Sequence, residues 1–263
     1  MNLPKVGARL DPANEKFKIF EKGMISNYLP ILNGDVDLRE FTSPRHNQRR
    51  TSTCTAQSAV KALEIKRIMK YGKESHVPLS VMDLYYGARD LMNPKETDKD
   101  DGTYLYLVCD VLRKFGVCRE ELNPFEEKNL FKPTPIMATR EAYLNKISAN
   151  YRIMSTGNDR VDDVINNLQV GNPVIFATRV GMNWMVYNHN SQPLEPTTTD
   201  NFIGHHAICI VGWVDGKFVI ENSWGNVWGE DGFGYLQPEV ISDCGSTDFW
   251  VIAQGSEAWY EKS

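Results

Sequence analysis

The sequence predicts an α+β protein in two halves, helices first and strands second, with a groove between them. Three observations predict it. From Thr51 to about position 147, apolar residues recur at helical spacing in several segments. After Pro173 the runs become short, β-rich and strand-like. Asp215-Gly216 lies between two apolar runs, which is a strong hairpin signal. Helical runs followed by strand runs make a segregated α+β layout rather than alternating βαβ units.

Taken in order, residues 1–34 are mixed and punctuated by Pro, Gly and Asn, and read as an extension lying on the main body. The first helix opens just after Thr51. Ala56, Ala59, Val60 and Leu63 fall at i, i+3, i+4 and i+7, and Ser52 or Thr53 is placed to cap it. Cys54 therefore sits in the first turn, where free N–H groups and the helix dipole favour a thiolate. A second helix is expected at about 79–92. A third follows Asp101-Gly102, with Tyr104, Leu107, Val108, Val111, Leu112 and Phe115 on one face and Gly116 as its stop. Short helices are expected at about 138–147 and 159–170. Strands are expected at 173–180, 206–214, 217–221 and 233–236, and 191–201 reads as a polar loop.

Composition bounds the function. The chain has 263 residues, 41% hydrophobic and 24% charged, enough for one large domain or two packed halves. A net charge of −5, with the densest basic cluster only Arg45, Arg49 and Arg50, argues against a nucleic-acid partner. No apolar run reaches 18 residues, so no membrane span is expected. The first twenty residues lack a basic region followed by an apolar core, so no secretory signal is expected. The five cysteines are odd in number and show no CxxC spacing, which points away from a disulfide framework and towards a reducing, intracellular compartment. Cys109 and Cys209 lie in apolar patterns and read as inert core residues. His205, His206, Cys209 and Asp243 are the only plausible metal ligands, and their spacing fits no zinc pattern, so no metal or other cofactor is expected.

The residues that can do chemistry fall into three blocks. Cys54 opens its helix among small polar neighbours, with Gln48 six positions earlier. Gly204-His205-His206-Ala207 begins an apolar strand. Because neighbouring strand residues face opposite ways, only one of the two histidines can face Cys54, and the spacing alone leaves the choice open. Asn222-Ser223-Trp224-Gly225 and Trp228-Gly229 follow, and a Trp beside an Asn can shield that Asn's hydrogen bond from water.

Together these blocks resemble the papain-like (C1) cysteine peptidases. Asn47-Gln48 with Cys54 looks like their nucleophile loop, His206-Ala207 with Val211-Gly212-Trp213 like their histidine strand, and Asn222-Ser223-Trp224-Gly225 with Gly232-Phe233 like their asparagine block. His206 lies 152 and Asn222 168 residues after Cys54, near the roughly 130–150 typical of such enzymes. Val36 to Glu40 resembles the start of the mature domain, and Cys54-Thr55-Ala56 is closer to bacterial and viral members than to plant and lysosomal ones. Leu79–Arg89, Gly102–Pro124, Gly171–Val174 and Asp248–Trp250 resemble the same branch. The likeness covers about residues 35–252.

The resemblance implies a papain-like fold, with a mainly helical half at about 35–150, an antiparallel β-barrel-like half at about 151–252, a cleft between, and a tail at 253–263. It implies a thiol endopeptidase acting on peptide or protein substrates. Cys54 would be the nucleophile, His206 its base, Asn222 the group orienting that base, and Gln48 an oxyanion donor. His205, Gly102, Tyr104 and Trp224 would contact substrate. A resting thiolate–imidazolium pair is expected, since such pairing lowers a thiol from about 8.5 to roughly 3–4. Thr51 stands where relatives carry a disulfide cysteine; Arg49 and Ser52 stand where they carry glycines, putting side chains where a substrate backbone passes. Two other readings share the scaffold: a different acyl-transfer enzyme (amidase, transglutaminase or peptidoglycan hydrolase), and a binding or structural component, for instance of a virion or another assembly.

Overall fold

The computed structural model describes residues 4–13, 17–19 and 34–253. The strands are β1 (Ala8–Arg9), β2 (Val36–Asp37), β3 (Thr103–Tyr104), β4 (Ala149–Ile153), β5 (Val174–Gly181), β6 (Phe202–Val214), β7 (Lys217–Glu221), β8 (Phe233–Leu236) and β9 (Ser246–Ala253). The α-helices are α1 (Cys54–Tyr71), α2 (Val81–Met92), α3 (Leu105–Lys114), α4 (Ile136–Ala142), α5 (Gly157–Gln169), α6 (Met182–Met185) and α7 (Pro238–Ser242). None of the described helices is long and apolar enough to cross a membrane.

Helix α1 is buried on every side over Cys54–Ile65, not on one face as the apolar spacing alone suggests. Its polar residues are tolerated because they are paired. Lys61 Nζ meets Glu221 at 2.9 Å, and Glu64 accepts from the Leu79 amide at 2.9 Å and the Ser43 hydroxyl at 2.5 Å. A buried polar group without such partners would cost several kcal/mol, on the order of 2–7. Helix α2 starts where Ser80 Oγ accepts from the Asp83 amide, 3.0 Å, an ordinary N-cap. Helix α3 buries Leu105, Leu107, Val108, Cys109, Val111 and Leu112. Phe115, expected on that face, is exposed because the helix ends at Lys114. Gly116 stops the run as expected: its φ is +83°, and a Cβ there would lie 1.9 Å from Ala142 O.

Strands β4-β9-β5-β6-β7-β8 pair in that order, and β2 pairs with β6 beyond the end of β5. The hairpin at Asp215-Gly216 forms as read, both residues having positive φ, +50° and +72°. Among the described residues the sheet stays open rather than closing into the expected barrel-like form. The free edge of β8 is covered by Leu194, whose amide donates to Tyr235 O and whose carbonyl accepts from the Gln237 amide. The free edge of β4 is covered by Lys18, whose carbonyl accepts from the Arg152 amide. Each edge finds loop partners, so neither needs the other. Strands β4 and β9, for which the sequence carries no alternating signal, are largely buried on two faces.

One continuous apolar core runs through both halves. Helix α1 packs on β6, which sets its N-terminus against the start of the histidine-bearing strand. The loop before α1 is stitched to the other half. The Gln48 amide donates to Ser223 O at 2.8 Å and the Gly225 amide to His46 O at 2.9 Å.

Candidate active site

Cys54 is the first residue of α1 and is fully buried. Neither expected cap serves the helix: the Thr53 side chain makes no cap bond, and Ser52 Oγ donates instead to Asp100 O at 2.9 Å. Gln48 is fixed by three side-chain contacts. Its Oε1 accepts from Ser223 Oγ at 2.6 Å, and its Nε2 donates to Thr51 O and Lys5 O, each at 2.8 Å. Arg49, next in the chain, holds φ +52°, the left-handed conformation that favours the glycine of relatives.

His206 lies on β6 and is fully buried. Its Nε2 lies 2.8 Å from Asn222 Oδ1. That oxygen also accepts from the Ser223 amide at 2.8 Å, which fixes the Asn222 amide orientation. With an acceptor fixed at Nε2, the neutral ring carries its proton there and leaves Nδ1 as the unprotonated nitrogen. Nδ1 is buried and has no hydrogen-bond partner among the described residues. Trp224 stacks on the imidazole, centroids 4.6 Å apart and planes 26° apart, and is itself buried. Trp228 meets Trp224 edge-on at 5.8 Å. The indole thus keeps water off the His206–Asn222 bond.

Burial sets the resting charge of this pair. It pushes the Cys54 thiol up, against the backbone amides of Ala207, Gly7, Thr55 and Cys54 itself, which act to lower it. The Ala207 amide that faces the sulfur follows His206 directly in β6. Burial also brings His206 down to about 4, against the opposing Asn222 hydrogen bond. Burial thus favours the neutral thiol and the neutral imidazole. This departs from the expected ion pair, and the cause is desolvation of both groups.

An N-terminal segment of the chain lies over this region, its Gly7 amide at the Cys54 sulfur. Strand β1 pairs in parallel with β3, Ala8 opposite Thr103 and Arg9 opposite Tyr104. Gly7 passes so close to Gly102 that a Cβ on Gly102 would lie 1.7 Å from Gly7 O, and Gly102 holds φ +77°. A Cβ on Gly7 would lie 2.3 Å from Ser52 Cβ, and one on Gly204 would lie 2.4 Å from Val6 Cγ2. Residues 5–9 thus form a strap between β3 and the start of β6, with Lys5 O on the Gln48 amide. Asp11 anchors the strap. It accepts from Trp250 Nε1 at 2.7 Å and from the Tyr106 amide at 3.2 Å, and its own amide donates to Asp248 at 2.7 Å.

The structure gathers Cys54, His206, Asn222 and Gln48 in one region, with Trp224 stacked on His206 and Gly102 against Gly7 of the strap, while Tyr104 lies opposite Arg9 and against Tyr106. His205 packs against Phe202 edge-on, centroids 5.0 Å apart, on the opposite side of β6 from His206 by alternation. Cys109 and Cys209 are buried, with thiols pushed well up by desolvation, so neither competes as a nucleophile. Sequence reasoning missed the strap and Asp100. The signal it passed over is charge complementarity: Lys5 and Arg9 in the extension against Glu96, Asp98, Asp100 and Asp101 before Gly102.

The model of the papain family cysteine proteases matches residues 32–253, and the chain belongs to that family. It is a cysteine-type peptidase by descent and fold. Xylellain, a cysteine protease from Xylella fastidiosa, superposes with a TM-score of 0.81 at 28% identity, over 97% of this chain and 99% of that one. An uncharacterized peptidase C1-like protein of Acanthamoeba polyphaga mimivirus is 28% identical over 238 residues, 85% of this chain and 76% of the relative. Digestive procathepsin L 3 of Tenebrio molitor shares the fold, with a TM-score of 0.67 at 17% identity over 87% of this chain and 72% of that one.

Proposed function

We propose that the chain hydrolyses peptide bonds through Cys54, His206 and Asn222, with Gln48 binding the oxyanion. The observation that carries this reading is the Gln48 amide holding a peptide carbonyl, Lys5 O, at 2.8 Å in the cleft beside Cys54. In the reaction His206 Nδ1 takes the thiol proton and the sulfur attacks the substrate carbonyl carbon. The oxygen gathers negative charge against Gln48 Nε2 and the Cys54 backbone N–H. His206 then returns its proton to the leaving amine, and water, deprotonated by the same ring, cleaves the thioester and frees the acid. Asn222 keeps the ring in register through both transfers.

A substrate reaches Cys54 only when the strap has left. Its departure also admits water, which favours both charged forms and so the thiolate–imidazolium pair. An epoxide-type thiol inhibitor tests the reading. Mass spectrometry is expected to find the adduct on Cys54 and not on exposed Cys244, and Cys54→Ser is expected to abolish both labelling and peptide cleavage. Equal labelling of Cys54 and Cys244, or release of ammonia without new peptides, would sink it.

A further inference from the structure

Thr51 stands where relatives carry a disulfide cysteine, and all five cysteines of this chain are free. The loop before Cys54 therefore has no covalent tie to the rest of the cleft. A carboxylate stands in its place. Asp100 accepts from the Ser52 amide at 3.0 and 3.1 Å, one contact to each oxygen, and its backbone carbonyl accepts from Ser52 Oγ at 2.9 Å. The serine that replaces a glycine of relatives thus supplies one of these bonds. Asp100 Oδ1 also accepts from Tyr85 OH at 2.8 Å, and that hydroxyl accepts from the Gly102 amide at 3.1 Å. One side chain joins the residue two before the nucleophile to the residue that leads into β3. The joint is sheltered: Tyr85 is fully buried and the Asp100 side chain is only 10% exposed. Burial, and then the charge of Asp100, pushes the Tyr85 hydroxyl far up, so it stays a donor. Arg89 supports the acidic segment from α2. It donates to Thr97 O at 2.8 Å and Lys99 O at 2.6 Å, and its guanidinium lies 4.4 Å from the Tyr85 ring centroid. The carboxylate's other partner is Lys5 Nζ at 3.1 Å, which belongs to the strap. The ties to Ser52 and Tyr85 lie within the body of the protein and do not depend on it.

We propose that Asp100 is a positioning residue that sets the register between β3 and the Cys54 N–H. The inference rests on the reading of Cys54 and Gln48 given above. That β3 takes an extended chain is visible in the strap itself, which pairs Ala8 with Thr103 and Arg9 with Tyr104. A substrate long enough to lie there is held at two places, the edge of β3 and the donors beside Cys54. Its reacting carbonyl meets those donors only while the two places keep a fixed separation. A misplacement of about 1 Å costs about a hundredfold in rate. Asp100 touches neither the substrate nor the sulfur in this role; it acts through Ser52 on one side and through Tyr85 and Gly102 on the other.

The test uses the full chain and two nitrophenyl esters with the same leaving group. One is a tetrapeptide that can lie along β3; the other is its last residue alone, too short to reach that edge. Competent sites are counted with the epoxide, so misfolded molecules drop out. Strap opening multiplies both values of kcat/KM equally, so their ratio, tetrapeptide over single residue, reads the register. Asp100→Ala is expected to lower that ratio about ten- to a hundredfold. A merely structural loss would lower both substrates together and leave the ratio alone. Asp100→Asn keeps Oδ1 as an acceptor for Ser52 and Tyr85, and is expected to hold the ratio within about threefold of wild type. Tyr85→Phe cuts only the Gly102 arm and is expected to lower the ratio as well. An Asp100→Ala ratio equal to wild type overturns the proposal; should that variant not fold, an unchanged ratio in Tyr85→Phe does so. A fall in Asp100→Asn as deep as in Asp100→Ala also overturns it, since the charge and not the tie would then matter. The epoxide separates the two failures. If it does not label Cys54 in the wild type, the reading of the site falls; if it labels while the ratio never moves, only the positioning role falls.

Discussion

At the residue scale, two side chains of the nucleophile loop carry opposite lessons. Gln48 is saturated by Ser223, Thr51 and Lys5, so its amide is aimed before any substrate arrives. Removing one oxyanion donor costs about 10²–10³ in turnover. Gln48→Ala is expected to lower kcat by that factor while leaving epoxide labelling of Cys54 largely intact, since opening an epoxide builds no carbonyl oxyanion; steady-state kinetics beside a labelling time course checks both. Arg49 keeps φ +52° although it is not glycine. A non-glycine residue in the left-handed region costs about 1–2 kcal/mol, partly offset by the greater freedom of glycine in the unfolded chain. Arg49→Gly is expected to stabilise the fold by up to about 1 kcal/mol, read as a higher urea midpoint with an unchanged slope.

At the element scale, α1 is a fully buried helix that carries charges. Lys61 pairs with Glu221, 2.9 Å, and Arg45 approaches the same carboxylate at 3.5 Å. Burial works to raise Glu64, but His46, Lys61 and Ser43 outweigh it and bring the acid down to about 2. These pairs tie α1 to β7 one residue before Asn222, so the helix that carries the nucleophile and the strand that leads to the orienting amide are held as one body. Removing one partner of a buried pair costs about 3–5 kcal/mol when the other charge is left unpaired; here Arg45 stays near Glu221, which sets the loss at the lower end of that range. Lys61→Met is expected to cost that much in a denaturant melt. Lys61→Met with Glu221→Gln is expected to recover part of it, which a double-mutant cycle would read.

At the scale of the whole molecule, strap and site form one equilibrium. Asp11 is the hinge of that balance: burial first, then the nearby charge of Asp248, pushes it up to about 7 from 3.8. Arg152 and Tyr106 also face it, Trp250 donates to it, and His205 acts on Asp248. An acid whose docked pKa lies above its free value binds its proton more tightly when docked. Docking is therefore strongest below about 4 and weakens as pH climbs through about 7. Hydrogen exchange of the amides of residues 5–9, corrected for intrinsic rates, is expected to quicken between pH 5 and 8. Asp11→Asn is expected to remove most of that dependence, and a pH profile identical in both proteins would dissociate the strap from Asp11.

By itself the sequence determined what local chemistry can write. The periods of α1, α2 and α3, the Asp215-Gly216 turn, and the order of the Cys54, His206 and Asn222 blocks were all legible, because each depends on neighbours within a few positions or on a family pattern. Only the tertiary structure decided the rest. Whether the sheet closed depended on Lys18 and Leu194 reaching its free edges. The direction in which Cys54 and His206 shift depended on how deeply the fold buries them, since a pKa answers to solvation and not to sequence distance. That Lys5 lies on Asp100 depends on a crossing of segments 95 residues apart. No periodicity encodes such a contact, because it follows from how the chain returns on itself.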